Sequence, residues 1–286
     1  MKNVWIIAVV ILFPTAGLFA GDGWIQKKNT GYFKLSQYWV IADQHYTNTG
    51  GIDPNATRAT FVTSLYAEYG FTDRITGVLY FPFFVRALQY EQVSATTGEL
   101  ILPGDAVNSL GDTQLTLKYG LIQNDQIALS GSISIGLPFG KNDGGRDGSL
   151  QTGTGAWSQM LRLDASKSFK VGNVYPFASI YTGFNNRTKG FSDEFRYGAK
   201  IGVSIERFSM QLLVDGVKSL KNGDANFNSE GTGLYSNNAE FVSITPEIGF
   251  RFNDKWGVSL SYATAMHGNL IFARPAYSAG VFFLMQ

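Results

Sequence analysis

The chain has 286 residues, 23 basic against 22 acidic side chains, a net charge of +1 and no cysteine. That balance, with no basic block, argues against a nucleic-acid partner; the missing cysteine excludes disulfides and a lipid anchor on cysteine. No later apolar stretch reaches the roughly 20 residues of a spanning helix, and 33 glycines with 14% aromatic residues fit a β-rich chain.

The first element is a leader. Lys2, an apolar run from Val4 to Phe13, and Ala20 after Pro14 form a secretory signal that predicts cleavage after residue 20. Residues 21–286 then form one domain. Residues 21–30, with Trp24, are a short N-terminal segment at the periplasmic side or in a lumen, too few to predict a full plug.

From Gly31 onward, twelve segments of alternating polarity follow one another. Short joins fall at Thr72-Asp73-Arg74, Gln123-Asn124-Asp125, Lys170-Val171-Gly172-Asn173, Glu206-Arg207 and Asn253-Asp254-Lys255. Between them lie long polar stretches, about 47–58, 89–109, 141–154 and 221–236. Loop lengths sorted by side are what an outer-membrane barrel requires, with tight periplasmic turns and longer external loops. The expected fold is all-β: a transmembrane antiparallel up-and-down β-barrel of about 12 strands in the outer membrane of a two-membrane bacterium.

Period 2 is clear in several segments. Thr113, Leu115, Leu117, Tyr119 and Leu121 face one way, against Asp112, Gln114, Thr116 and Lys118. Ile127, Leu129, Ile133 and Ile135 alternate with Ala128, Ser130, Ser132 and Ser134. Phe195, Tyr197, Ile201 and Val203 alternate with Arg196, Gly198, Lys200 and Gly202. A one-residue slip would turn Lys200 into lipid, at about 2–4 kcal/mol near the midplane, so register is firmly specified. Three segments are less regular: residues 31–46 have aromatics on both faces, residues 175–186 are ambiguous, and residues 80–85 are apolar throughout. Pro82 donates no ladder bond, which predicts a bulge or local break. Aromatics near segment ends (Tyr38, Trp39, Tyr69, Phe71, Tyr119, Trp157, Phe208, Phe250, Phe252 and Trp256) suit interfacial girdles. The last segment presents Tyr277, Ala279, Val281, Phe283 and Met285 outward, and its end, Phe283-Leu284-Met285-Gln286, approximates the terminal aromatic read by barrel-assembly machinery.

Three motifs carry a resemblance: Gly111-Asp112 leading into Leu115, Leu117, Lys118 and Tyr119; Leu137-Pro138-Phe139-Gly140; and Gly153-Thr154-Gly155-Ala156-Trp157. Over about 110–165 they make the chain similar to the outer-membrane transporter family named for the MetA pathway of phenol degradation. The resemblance implies an outer-membrane barrel that takes up a small hydrophobic or aromatic solute. The same residues also have a purely structural use, since proline ends a strand and glycine lets a loop bend.

Catalysis is not expected. His45 and His267 are the two histidines, and neither stands in a His-x-Ser arrangement with a nucleophile. Without a third ligand they do not make a metal site. Residues 142–148 lack the spacing and closing glutamate of a calcium loop. No cofactor is implied. The alternations instead assign Glu68, Asp112, Lys118, Arg162, Asp164, Arg196, Lys200, Asp215, Glu247 and Arg251 to the lumen. These mixed charges either pair across it and narrow it, or form opposed walls that orient a solute. About twelve strands predict a narrow, gated or plugged pore. The expected protein is a monomeric channel or transporter whose partners are membrane lipid, a small solute and the assembly machinery, with the aromatic run at 80–84 as a candidate solute contact. The alternative is a closed structural or adhesive barrel whose loops bind a surface partner.

Overall fold

The computed structural model describes residues 22–172, 174–224 and 234–286. The leader at 1–20 and part of the 221–236 stretch lie outside the described residues. The strands are β1 (Gly31–Tyr46), β2 (Ile52–Gly70), β3 (Ile75–Gln89), β4 (Gln92–Val93), β5 (Leu100–Leu102), β6 (Asp105–Ser109), β7 (Thr113–Gln123) and β8 (Ile127–Leu137). They continue with β9 (Ser158–Ser168), β10 (Phe177–Arg187), β11 (Glu194–Ile205), β12 (Phe208–Ser219), β13 (Glu240–Arg251), β14 (Trp256–Asn269) and β15 (Ala276–Met285).

Twelve of these strands form a closed antiparallel barrel. Closure comes from β1, which pairs with β2 along one edge and with β15 along the other, Gly31 lying opposite Met285 and Val40 opposite Ala276. Closing the sheet removes its edges, so every spanning strand has two neighbours to bond in a solvent that offers no hydrogen bonds. The additional strand β6 pairs with Val85–Gln89 of β3 on the edge that β7 occupies lower down, and β4 and β5 form a separate two-stranded hairpin in the same connection.

The pleat sorts chemistry by face. Leu115, Leu117, Ile133, Leu161, Leu163, Ile180, Ile201, Met210, Ile248 and Leu260 are exposed and together make an apolar outer band. The opposite parity is small and polar, with Ser130, Ser134, Asp164, Ser166 and Ser179 buried inside. At the short-turn end Phe208 stacks near Phe250, and Trp256 near Phe283, with ring centroids 4.9 Å apart in each pair. At the other end Trp39 and Tyr262 flank Tyr277, at 5.8 and 5.5 Å.

Three local features differ from the sequence reading. The expected loop at 47–58 is mostly strand: β2 already begins at Ile52, with Pro54 opposite Gln44 across a bulge, and residues 47–51 make the turn. Tyr38, expected in a girdle, lies inside, packed with Val40, Ala42 and Ala276. The broad loop at 89–109 contains β4, β5 and β6.

Candidate functional site: the lumen and its N-terminal segment

Ahead of β1, residues 22–30 run along the inner wall, held by side chains from several strands. The buried Lys118 of β7 donates to the backbone carbonyls of Asp22 and, at 3.2 Å, Trp24. Lys200 of β11 pairs with the Asp22 carboxylate at 2.8 Å. Ser166 of β9 accepts from the Gly23 amide at 2.8 Å, and Gln123 both accepts from Ile25 N–H and donates to the Gly23 carbonyl. Thr76 of β3 accepts from Gln26 N–H, whose side chain donates to Glu68 of β2 at 2.8 Å. At the turn end, Asp73 accepts from Lys28 N–H and Asn29 donates to the Gly70 carbonyl. Trp24 meets the inward ring of Phe177 edge-on at 6.3 Å.

A backbone segment with no strand neighbours has orphan amides and carbonyls, and burying it is tolerable only where side chains satisfy them. The inner parity of β7, β8 and β9 does so. It alternates short serines, which leave room, with Lys118 and Gln123, which reach across. Gly23 sits so close to the wall that a Cβ would lie 2.8 Å from the Ala128 carbonyl oxygen and 2.9 Å from Ser166 Oγ.

Above this segment lies a cavity of about 170 Å³ bordered by Asp22, Arg162, Asp164, Tyr181, Lys200 and Asp215. Arg162 grips Asp164 with Nε at 3.0 Å and Nη2 at 2.6 Å, and its guanidinium stacks over the Tyr181 ring, 3.6 Å from the centroid. Tyr181 in turn donates to Asp215. Asp22 Oδ2 is buried without a protein partner among the described residues, and the cavity beside it has room for several waters.

Each lumen residue expected from sequence has an identifiable setting. Glu68 accepts from Gln26 and from Tyr66. Lys118, Arg162, Asp164, Lys200 and Asp215 gather around the segment and the cavity. Glu247 pairs with Lys34 at 3.3 Å and accepts from Gln211 at 3.0 Å. Arg196 pairs with Glu194 at 2.7 Å, nearer the long-loop end, where buried Arg187 also meets Glu194 at 2.9 Å. Arg251 stands apart at the short-turn end, donating to the Glu206 carbonyl at 2.6 Å. Asp112 is taken up by a loop: its carboxylate accepts from Gly140 N–H at 3.0 Å, Thr154 N–H at 2.6 Å and Thr154 Oγ at 2.8 Å. Gly111-Asp112, Pro138-Phe139-Gly140 and Gly153-Thr154-Gly155, singled out in the sequence, thus meet at one point and anchor the 138–157 connection.

Sequence reasoning missed Lys34, Tyr66, Arg187 and Glu194. All but Glu194 lie in β1, β2 or β10, where inward aromatics hide the alternation. Phe177 on β10 and Phe282 on β15 are both buried inside, and Phe282 stacks on Tyr32 at 5.7 Å.

The long-loop end is narrowed from above. Leu150, Leu234, Tyr235 and Phe272 come together over Thr60 and Ala87 of the wall. The Tyr235 phenol is pushed above its ordinary pKa by burial, with Tyr80, Asp112 and Tyr38 as electrostatic neighbours. Tyr80 points inward from β3, yet is 37% exposed, so it borders free space in the lumen.

A closed wall of strands, apolar outside and charged within, is the structure of a transmembrane β-barrel of the outer-membrane type. No family model matches the sequence, and no curated protein matches it. Among solved structures it is similar to an outer-membrane channel from Pseudomonas putida F1, with a TM-score of 0.60 and 14% identity over 94% of this chain and 100% of that one. The NanC porin overlaps less well, with a TM-score of 0.47 and 8% identity over 88% of this chain and 98% of that one. The KdgM porin has a TM-score of 0.44 and 7% identity, over 88% and 98%. The first likeness is one of fold, and the two looser overlaps add nothing to it.

Proposed function

We propose that this protein is an outer-membrane channel for a small hydrophobic or aromatic solute. The observation that carries the reading is the division of the lumen along its axis. One half is ionic and occupied by residues 22–30; the other is bordered by Tyr38, Tyr80 and Tyr235 on one side, with the charges of Arg187, Glu194 and Arg196 neutralised in pairs on the β10–β11 side. An apolar solute loses little on entering the tyrosine-lined half, whose rings offer apolar faces and polar tips. A hydrated ion would find a path through the ionic half obstructed by the segment. The resemblance to the MetA-pathway transporters points to the same solute class, and the ten lumen residues named from sequence then hold the segment, neutralise one another or brace the walls.

On this reading residues 1–20 are a cleaved signal, residues 21–286 are the mature monomeric domain, and the C-terminal strand is presented to the assembly machinery. The short turns face the periplasm and the long loops the exterior. The competing reading, a closed adhesive barrel, draws on the anchoring of the 138–157 connection by Asp112. Single-channel recording in planar bilayers, with phenol or toluene added, separates the two. Small conductance steps modulated by the aromatic solute are the expected result; a folded barrel that neither conducts nor responds favours the adhesive scaffold.

A further inference from the structure

With residues 1–20 removed, Asp22 stands second in the chain, where ends are ordinarily poorly ordered unless something ties them down. Asp22 is tied three ways. Lys118 donates to its carbonyl, Lys200 pairs with its Oδ1 at 2.8 Å, and Ser166 accepts from the next amide, that of Gly23, at 2.8 Å. The residue is only 3% exposed, yet its second carboxylate oxygen, Oδ2, is buried without a hydrogen-bond partner among the described residues. An oxygen in that position has given up its water and gained nothing in exchange.

The cavity beside Asp22 carries the same imbalance. Asp22, Asp164 and Asp215 border it against Arg162 and Lys200, so three carboxylates face two cations and one negative charge is left over. Arg162 is committed to Asp164 and Lys200 to Asp22. Asp215 has the neutral Tyr181 hydroxyl and no ion pair among the described residues. Nor do three His, Cys, Asp or Glu side chains group to hold a metal ion among those residues. The missing partner is a group with one positive charge and several N–H donors, small enough to share about 170 Å³ with a few waters. That is the chemistry of a primary ammonium.

We propose that this cavity is the socket for the α-ammonium group of Gly21, created when the signal is removed after residue 20. The proposal rests on the cleavage reading above and is independent of the solute. Hydrolysis of the Ala20–Gly21 peptide bond leaves a carboxylate on Ala20 and the ammonium on Gly21. Covalent geometry supplies the proximity, because the nitrogen of a residue lies within about 5 Å of the next Cα in every conformation. Before cleavage the same nitrogen is an uncharged amide with a single N–H, which cannot balance the cavity. Processing therefore supplies the ligand, and residues 22–30 lock into the lumen only in the processed chain.

The test is labelling of the α-amine with 2-pyridinecarboxaldehyde, which spares lysine, on protein purified from outer membranes and read by mass spectrometry across a pH series. An ordinary α-amine loses its proton, and so becomes reactive, near pH about 8. Held by carboxylates, the Gly21 amine of the folded barrel should label about ten-fold more slowly at neutral pH than in the heat-unfolded chain, with its midpoint moved to higher pH. Asp22→Asn, its folding checked by heat-modifiable gel mobility, should label faster and return the midpoint toward the ordinary value. Should that variant not fold, the folded and unfolded forms of the unaltered protein decide between them. An ordinary rate and midpoint in the folded protein refute the socket. Slow labelling with an unmoved midpoint refutes it too, because the end is then buried but paired with no carboxylate. The same spectra give the first residue: a chain that begins elsewhere than Gly21 overturns the cleavage reading, and the socket falls with it.

Discussion

Gly23 and the Arg162–Asp164 pair test the lumen at single side chains. At Gly23 the limit is space, since even a Cβ meets the Ala128 carbonyl and Ser166 Oγ. Gly23→Leu should therefore lift residues 22–30 from the wall and raise single-channel conductance several-fold while the barrel still folds; unchanged conductance would mean that the segment does not obstruct the ion path. At Arg162 the limit is charge. Its partner Asp164 is only 5% exposed in its side chain, so Arg162→Met leaves a buried carboxylate without its main cation. The expected loss is about 1–3 kcal/mol, below the usual cost for a dry buried pair because the neighbouring cavity admits water. Chemical unfolding in detergent would measure it, and the double variant Arg162→Met/Asp164→Leu should lose less than the single one.

Among the elements, the connection at 138–157 depends on the carboxylate of Asp112, which accepts three hydrogen bonds from it. Asp112→Ala should leave the barrel folded and make that connection a preferred site of limited proteolysis; equal cleavage of both proteins would show that Gly140 and Thr154 are held by something else. The loops also carry acid-sensitive groups. Asp193 is held below the ordinary carboxylate range: partial burial opposes this, but bonds from Asn222, Arg187 N–H and Asn186 outweigh it. Asp147 is lowered mainly by bonds from Ser149. Because both folded values are depressed, their contribution is fully present above pH about 4 and is lost as pH falls through the folded values. Hydrogen exchange in these loops should therefore rise in acid before the spanning strands respond. Legibility of the elements follows the same physics. β8 could be read residue by residue because lipid faces one side and short serines the other. The start of β2 looked like loop because it rises beyond the apolar band, where nothing demands an apolar face. In β10 the inward Phe177 breaks the alternation, and it is there to meet Trp24, a contact with a residue 153 positions away that no local pattern could announce.

For the whole molecule the issue is what keeps the barrel closed, and to what. Twelve strands enclose less space than the open porins of 16–18 strands, so a single extended segment is enough to change the character of the lumen. Residues 22–30 are bonded to at least five strands, yet few of those bonds are between regular backbones; most end on flexible lysine, glutamine and serine side chains. The attachment is thus strong in sum and divisible in parts, and the ionic members are the ones that salt weakens least, because they are shielded inside. Deleting residues 22–30 should accordingly produce a large, ungated ohmic conductance and faster entry of small hydrophilic solutes, with the folded barrel retained because no strand is removed. Lys118→Met with Lys200→Met should give an intermediate state, flickering between the two levels as the segment detaches and returns. An unchanged conductance in both variants would mean that the segment does not close the ion path.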